Sequence, residues 1–198
     1  MKLNIFTFTS MKLTAIILAG GKSKRMGANK ALIPYRGKAL IQYSIDLARC
    51  FTNDIIISAN TGELAHLGYR IVPDLLPIPA PLTGIHAALL SSKTSWNLVL
   101  TCDMPNVTRD LIDQMIPLLT DSIRIVIPFH NGYTEPLCGF YHASLTAEIE
   151  RNFSLEKYSP LDLIAKTPHH YLAIETLPGV SSMDFLFKNV NKKQDLDR

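Results

Sequence analysis

The sequence predicts an α/β protein, a three-layer α/β/α sandwich around a mostly parallel central sheet. Three observations carry this. Short continuous apolar runs such as Leu13 to Leu18 and Ile55 to Ile57 recur along the chain, the pattern of strands buried on both faces. Segments with apolar residues at helical spacing lie between them. Glycine, proline, asparagine or aspartate punctuates the strand ends. Such alternation puts helices on both faces of one sheet, and ligands of these sheets bind beyond the carboxyl ends of the strands.

The first strand is Leu13 to Leu18, and Leu40 to Ala48 follows as a helix with Ile41, Ile45 and Ala48 on one face. Asp54 to Ala59, ending at Asn60, is a second strand. Tyr69 to Val72 is a third, stopped by Pro73 and Asp74. The prolines at 73, 77, 79 and 81 rule out regular structure between them. Leu82 to Leu90 reads as a helix, and Trp96 to Thr101 as a strand running into Cys102-Asp103-Met104-Pro105. Thr108 is placed to N-cap a helix bearing Leu111, Ile112, Met115 and Ile116, which Pro117 ends or bends. Ser122 to Pro128 is a fifth strand, and Asn131-Gly132 signals a tight turn. Thr134 to Tyr141 runs beside an antiparallel strand or forms a loop followed by one. Ser144 to Asn152 and Pro160 to Ala165 read as helices, His169 to Ile174 as a late strand, and Ser182 to Phe187 as a short helix or turn.

Of the 198 residues, 47% are hydrophobic and 19% charged, which supports one sizeable core and argues against disorder. Residues 11–198 are expected to form a single domain, with 1–10 as a peripheral segment ahead of a second possible start at Met11. The formal net charge is +3, and Lys22, Lys24, Arg25 and Lys30 concentrate much of the excess in one loop. Without a basic stripe the chain does not read as a nucleic-acid binder. No apolar run approaches the roughly 18 residues of a membrane helix, and Met1 to Ser10 lacks a secretory core and cleavage site. Cys50, Cys102 and Cys138 have no metal-ligand spacing and read as reduced, buried thiols of a cytoplasmic protein. His130, His142, His169 and His170 lack zinc spacing, and His86 reads as a helix-surface residue near Pro81-Leu82-Thr83-Gly84.

Chemistry concentrates in Leu18-Ala19-Gly20-Gly21-Lys22-Ser23-Lys24-Arg25-Met26-Gly27, followed by Lys30. A buried strand empties here into a glycine-rich, cationic loop. Backbone N–H groups in such a turn, with Lys22, Arg25 and Lys30, suit a polyphosphate, and Arg25 grips two oxygens at once. The spacing fits neither the P-loop nor the dinucleotide G-x-G-x-x-G fingerprint.

This segment resembles the opening motif of nucleotidyltransferases of the nucleoside-diphospho-sugar transferase fold and, within them, the molybdenum cofactor guanylyltransferases. The resemblance runs over nearly the whole chain from Met11. It implies a Rossmann-like sheet and transfer of GMP from GTP to the phosphate of molybdenum-molybdopterin, with release of pyrophosphate. Leu18, Ala19, Gly20 and Lys30 would bind the nucleotide, and Arg25 and Lys30 would act in catalysis. Asp103, in Cys102-Asp103-Met104-Pro105, matches the family's Mg²⁺ aspartate, and a lone carboxylate at a strand end suits that hard cation. Taken alone, it also fits a turn or helix cap.

Asn60 matches an asparagine that contacts the guanine nucleotide, and Asp74 an aspartate that reads guanine or lines its pocket; in isolation both are ordinary turn residues. Pro81-Leu82-x-Gly84-Ile85 matches a family segment, with Ala80 and Thr83 departing from the usual glycine and small residue. Glu135 to Tyr141 resembles the side where the pterin docks, and Phe187-x-Asn189-Val190-Asn191 a terminal family segment. The usual follow-up to that segment is replaced by Lys192-Lys193-Gln194. Transient contacts with molybdoenzyme delivery proteins are expected from the same resemblance, with no nucleic acid or membrane partner. Two alternatives stay open. One is another nucleotidyltransferase of this fold, moving CMP to molybdopterin or acting on a small phosphorylated substrate. The other is a nucleotide-binding adaptor without catalysis.

Overall fold

A computed structural model of the chain describes residues 11–20, 29–174 and 183–191. The expectations for residues 1–10, for Gly21 to Ala28 (Lys22, Arg25 and Gly27 among them), for Ser182 and for the tail from Lys192 lie outside them.

In chain order the elements are β1 (Leu13–Leu18), β2 (Pro34–Tyr35), β3 (Lys38–Ala39), α1 (Leu40–Arg49), β4 (Ile55–Ser58), β5 (Arg70–Val72), α2 (Pro81–Ser91) and β6 (Trp96–Thr101). There follow α3 (Arg109–Met115), β7 (Ile125–His130), β8 (Tyr133–Thr134), β9 (Gly139–His142), α4 (Thr146–Ser154), α5 (Pro160–Ile164), β10 (His169–Ala173) and α6 (Met183–Leu186). The main sheet runs β10-β7-β9-β6-β1-β4-β5, with β8 paired to β7. β1 is parallel to β4 and β6, β4 to β5 and β7 to β10, whereas β9 runs antiparallel to both β6 and β7.

Strand alternation explains the continuous apolar runs. Leu13, Ala15 and Ile17 of β1 face one side, where Ile41, Ile45 and Ala48 of α1 and Leu111, Ile112 and Met115 of α3 cover them. Ile16 and Leu18 face the other, under Leu82, Ile85 and Ala88 of α2, Ile149 of α4 and Leu163 and Ile164 of α5. These are the three expected layers. Close approach between strands fixes one glycine: a Cβ on Gly139 would stand 2.5 Å from the Val126 carbonyl oxygen, so β9 tolerates no side chain where it crosses β7.

Chain growth reverses at β1. β4 and β5 extend the sheet to one side, then β6 returns to the other, with Leu18 level with both Ser58 and Thr101. Ligands of open α/β sheets bind at this switch point, here the gap between the ends of β1 and β6.

Some boundaries differ from expectation. The fifth strand spans Ile125–His130 rather than Ser122 to Pro128. Proline has no N–H, which argues for a stop. However, the Pro128 carbonyl accepts from Glu135 N (3.1 Å) on the β8 side, so the Pro128 nitrogen faces the same side. The Glu135 carbonyl that a donor at position 128 would meet accepts from Cys138 N instead (3.1 Å), so no acceptor is left without a donor. The helix expected from Ser144 starts as a 3₁₀ turn over Ala143–Leu145 before α4. The β2–β3 hairpin and the 3₁₀ turns at Lys30–Leu32 and Gly62–Leu67 were not expected.

Candidate active site

A cleft of about 1220 Å³ opens over the carboxyl ends of β1, β4, β5 and β6. Leu18, Ala19, Gly20, Asn60, Asp74 and Asp103 all line it, so strand-end residues far apart in sequence converge as the fold class requires. Its volume exceeds the roughly 300–1,000 Å³ of a single-ligand pocket, which leaves space for a nucleotide and a second molecule.

At one end, Asn60 and Asp74 hold each other. Asn60 Nδ2 donates to Asp74 Oδ2 (2.7 Å), and the Asp74 backbone N donates to Asn60 Oδ1 (2.8 Å). The first turn of α2 closes over this pair. A Cβ on Gly84 would meet Ser58 Oγ at 2.5 Å and Asp74 Oδ1 at 3.3 Å, so glycine lets the helix lie against the carboxylate. Ala80, the helix N-cap, has φ −134° and ψ 144°, extended backbone that any residue adopts, so its departure from glycine leaves the loop intact. Thr83 Oγ1 donates to the carbonyls of Ala80 (2.5 Å) and Ile78 (3.1 Å), bracing the proline-rich wall from Asp74 to Pro81 that the cleft uses.

At the other end stand Lys30 and Asp103. Lys30 Nζ donates to Asp103 Oδ2 (2.6 Å) and to Asn191 Oδ1 (2.5 Å). Thr101 Oγ1 donates to Asp103 Oδ1 (2.8 Å), and the Thr101 carbonyl accepts from Ser44 Oγ of α1 (2.9 Å). The strand end that carries the carboxylate is thereby tied to the helical layer. Lys30 lies in the turn capped by Asn29, whose Oδ1 accepts from Ala31 N (3.1 Å) while its Nδ2 donates to Glu63 Oε2 (2.9 Å). Between the two ends, Ala19 N donates to the Ser58 carbonyl (2.9 Å) and Cys102 N to that of Leu18 (3.1 Å). A Cβ on Gly20 would make only an ordinary contact, 3.8 Å from the Ser58 oxygen, so packing does not demand glycine there.

Among the described residues no three His, Cys, Asp or Glu side chains converge on one point. Asp103 is the carboxylate at this end of the cleft. Each of its oxygens holds one donor, and a carboxylate has lone pairs to spare. That fits Mg²⁺, which uses one or two carboxylates and takes its other ligands from phosphates and water.

Neighbouring groups are chemically quiet. Burial, then the adjacent Asp103 carboxylate, pushes the Cys102 thiol up to about 12. Burial and Glu135 push Cys138 up as well, so neither is a thiolate nucleophile. Cys50, expected buried, is exposed at the end of α1. His86, expected on a helix surface, is buried, with Nε2 3.1 Å from Glu150 Oε1 and its ring edge-on to Phe153. These contacts, both with α4, turn it away from the cleft, whose lining does not include it.

On the far side of Asp103, Leu137 reaches the cleft. Tyr141 Oη donates to the Pro136 carbonyl (2.7 Å), and His130 Nε2 lies 3.1 Å from Glu135 Oε1. Asn29, Glu63 and Thr101 are site residues that sequence reasoning missed. Asn29 carried a signal, since asparagine before Lys-Ala-Leu is a favoured N-cap. Glu63 had none, because its partner is remote in sequence.

The MobA-like NTP transferase domain matches residues 15–170. A probable molybdenum cofactor guanylyltransferase from Flavobacterium johnsoniae is 33% identical over 93% of this chain and 95% of its own length. One from Pyrococcus horikoshii is 36% identical, covering 94% of this chain and 98% of its own. Among solved structures, molybdopterin-guanine dinucleotide biosynthesis protein A from Archaeoglobus fulgidus superposes with a TM-score of 0.77 at 25% identity, over 93% of this chain and 95% of that one. The chain therefore belongs to the MobA-like NTP transferase family, among the relatives named as molybdenum cofactor guanylyltransferases.

Proposed function

We propose that this chain transfers GMP from GTP to the phosphate of molybdenum-molybdopterin. An oxygen of that phosphate attacks the α-phosphorus of GTP. The new oxygen–phosphorus bond forms as the bond to the bridging oxygen of the β-phosphate breaks, and pyrophosphate leaves with the electron pair. The supporting observation is the two-ended cleft: a fixed carboxylate–amide pair, Asn60 and Asp74, faces Lys30 and Asp103 across the β1/β6 switch point.

Asp74, held by Asn60, accepts from the ring N–H and amino group of guanine. Leu18, Ala19 and Gly20 bind the nucleotide through backbone groups, while Arg25 and Lys30 offset charge moving onto the pyrophosphate. Asp103 would hold Mg²⁺, and the cation would supply polarisation of the phosphate oxygens. The attacking phosphate is already anionic, so no general base is assigned. Molybdenum-molybdopterin docks beside Glu135 to Tyr141. Residues 11–198 act as one nucleotidyltransferase unit in the cytoplasm, passing product to molybdoenzyme delivery proteins by transient contact.

No described helix is long and apolar enough to cross a membrane. The test is pyrophosphate release with molybdenum-molybdopterin and each of GTP, CTP, ATP and UTP. GTP alone is expected to support turnover; a preference for CTP overturns the base assignment.

A further inference from the structure

We propose that residues 185–191 form a strap that sets the position of Lys30, with Asn191 as the positioning residue. The proposal rests on the nucleotidyl-transfer reading above. Four separate ties hold the strap. Asn106 Nδ2 donates to the Phe185 carbonyl (2.9 Å). The Phe187 ring stacks on His130, 4.9 Å between centroids and 16° from parallel. Val190 N donates to the backbone carbonyl of Asp103 (2.9 Å), and the Val190 side chain is buried with Ile33, Tyr35 and Leu40. Ile33 directly follows the turn that carries Lys30. The strap therefore packs at once on the segment bearing the lysine and on the residue bearing its carboxylate partner, and its next residue reaches the ammonium.

Lysine is a mobile point charge on a four-carbon stem, with three N–H donors. Asp103 Oδ2 takes one and Asn191 Oδ1 a second. Two acceptors on different elements fix where the ammonium sits, and the third N–H is left for a phosphate oxygen. Without Asn191 the stem regains rotamer freedom and the Asp103 carboxylate alone decides where the ammonium rests, in competition with the cation that Asp103 is to hold. Asn191 thus acts through Lys30 and needs no contact with substrate.

The test is a double-mutant cycle of Asn191→Ala and Lys30→Ala, read as kcat/KM for GTP in pyrophosphate release, together with thermal midpoints. Asn191→Ala alone is expected to lose roughly tenfold, the scale of a hydrogen bond to a charged group. Its midpoint should stay within about 2 °C of wild type. In the Lys30→Ala background the same change should cost less than about twofold, because the interaction it removes is already gone. Asn191→Asp, which keeps the acceptor oxygen, is expected to retain most activity. Equal losses in both backgrounds, or a loss that tracks the thermal midpoint, would overturn the proposal. If wild-type protein releases no pyrophosphate from GTP, the guanylyl reading fails instead. Calorimetric binding of Mg²⁺-GTP to the four proteins then reads the same coupling, with equal losses in both backgrounds again the contrary result.

Discussion

Asn60 and Asp74 form a reciprocal pair: the amide of Asn60 donates to the Asp74 carboxylate at 2.7 Å, and its oxygen accepts from the Asp74 backbone at 2.8 Å. Both ends of the asparagine side chain are spent on its neighbour. In the proposed base recognition Asn60 would therefore act largely through Asp74. Asn60→Ala and Asp74→Ala should each raise KM for GTP by about tenfold. The double variant should fall near the worse single one, as expected for residues acting as a unit. Steady-state kinetics on the three proteins checks this, and fully multiplicative losses would mean two independent contacts.

Gly84 is where the helical layer meets that pair. An alanine there places its methyl 2.5 Å from Ser58 Oγ, so Gly84→Ala should cost about 1–3 kcal/mol of stability, the scale of overpacking a filled site. Combining it with Ser58→Ala removes the closest obstacle and should recover part of the loss. Urea denaturation of the single and double variants measures both effects.

These contacts mark the limit of what the sequence discloses. The sheet was legible because β1, β4 and β6 are buried on both faces, and continuous apolar runs say so. The hairpin at Pro34–Ala39 was not, because strands of two residues leave no periodicity. Gly20, Asn60, Asp74 and Asp103 stood out as polar or glycine residues at strand ends. Their pairings did not, since partners 14 and 73 positions apart meet only once β4, β5 and β6 are aligned. Pro128 misled for a local reason: the carbonyl its missing N–H would have met, that of Glu135, accepts from Cys138 N in the turn that follows. His86 misled because a helix buried on nearly every side has no surface for a histidine to occupy.

Lys30 and Asp103 are predicted to fail differently. Asp103→Asn keeps one acceptor oxygen, turns the other into an amide donor where Thr101 or Lys30 now donates, and lowers charge at the proposed metal position. It should raise the Mg²⁺ concentration needed for half-maximal rate as well as lower kcat. Lys30→Met leaves the carboxylate free, so its loss, on the order of a hundredfold in kcat, should come without weaker Mg²⁺ dependence. Magnesium titrations of the two variants separate the roles.

His142 gives the fold a pH dependence of its own. Burial, then the Arg124 guanidinium, lowers its pKa, with Asp121 offsetting part. Its Nδ1 accepts from Ser144 N (3.2 Å) as the cap of the following turn, which requires the unprotonated ring nitrogen. With the folded pKa below the ordinary 6.5, the unfolded chain binds more protons in the window just below that value, and stability falls as pH drops through it. The contribution is fully present above the unfolded pKa. His142→Asn, a non-titrating cap, should flatten the fall in urea midpoint between about pH 7 and pH 5.

Guanylyl transfer breaks the bond between the α-phosphorus of GTP and the oxygen bridging to its β-phosphate. It is tested most directly by incubating the protein with molybdenum-molybdopterin, Mg²⁺ and GTP labelled on either the α- or the γ-phosphorus, then locating the label. Guanylyl transfer predicts that α-label appears in the molybdopterin product and γ-label only in pyrophosphate. Label from the γ-position on the acceptor, or γ-label released as single phosphate with no α-label on molybdopterin, would contradict it.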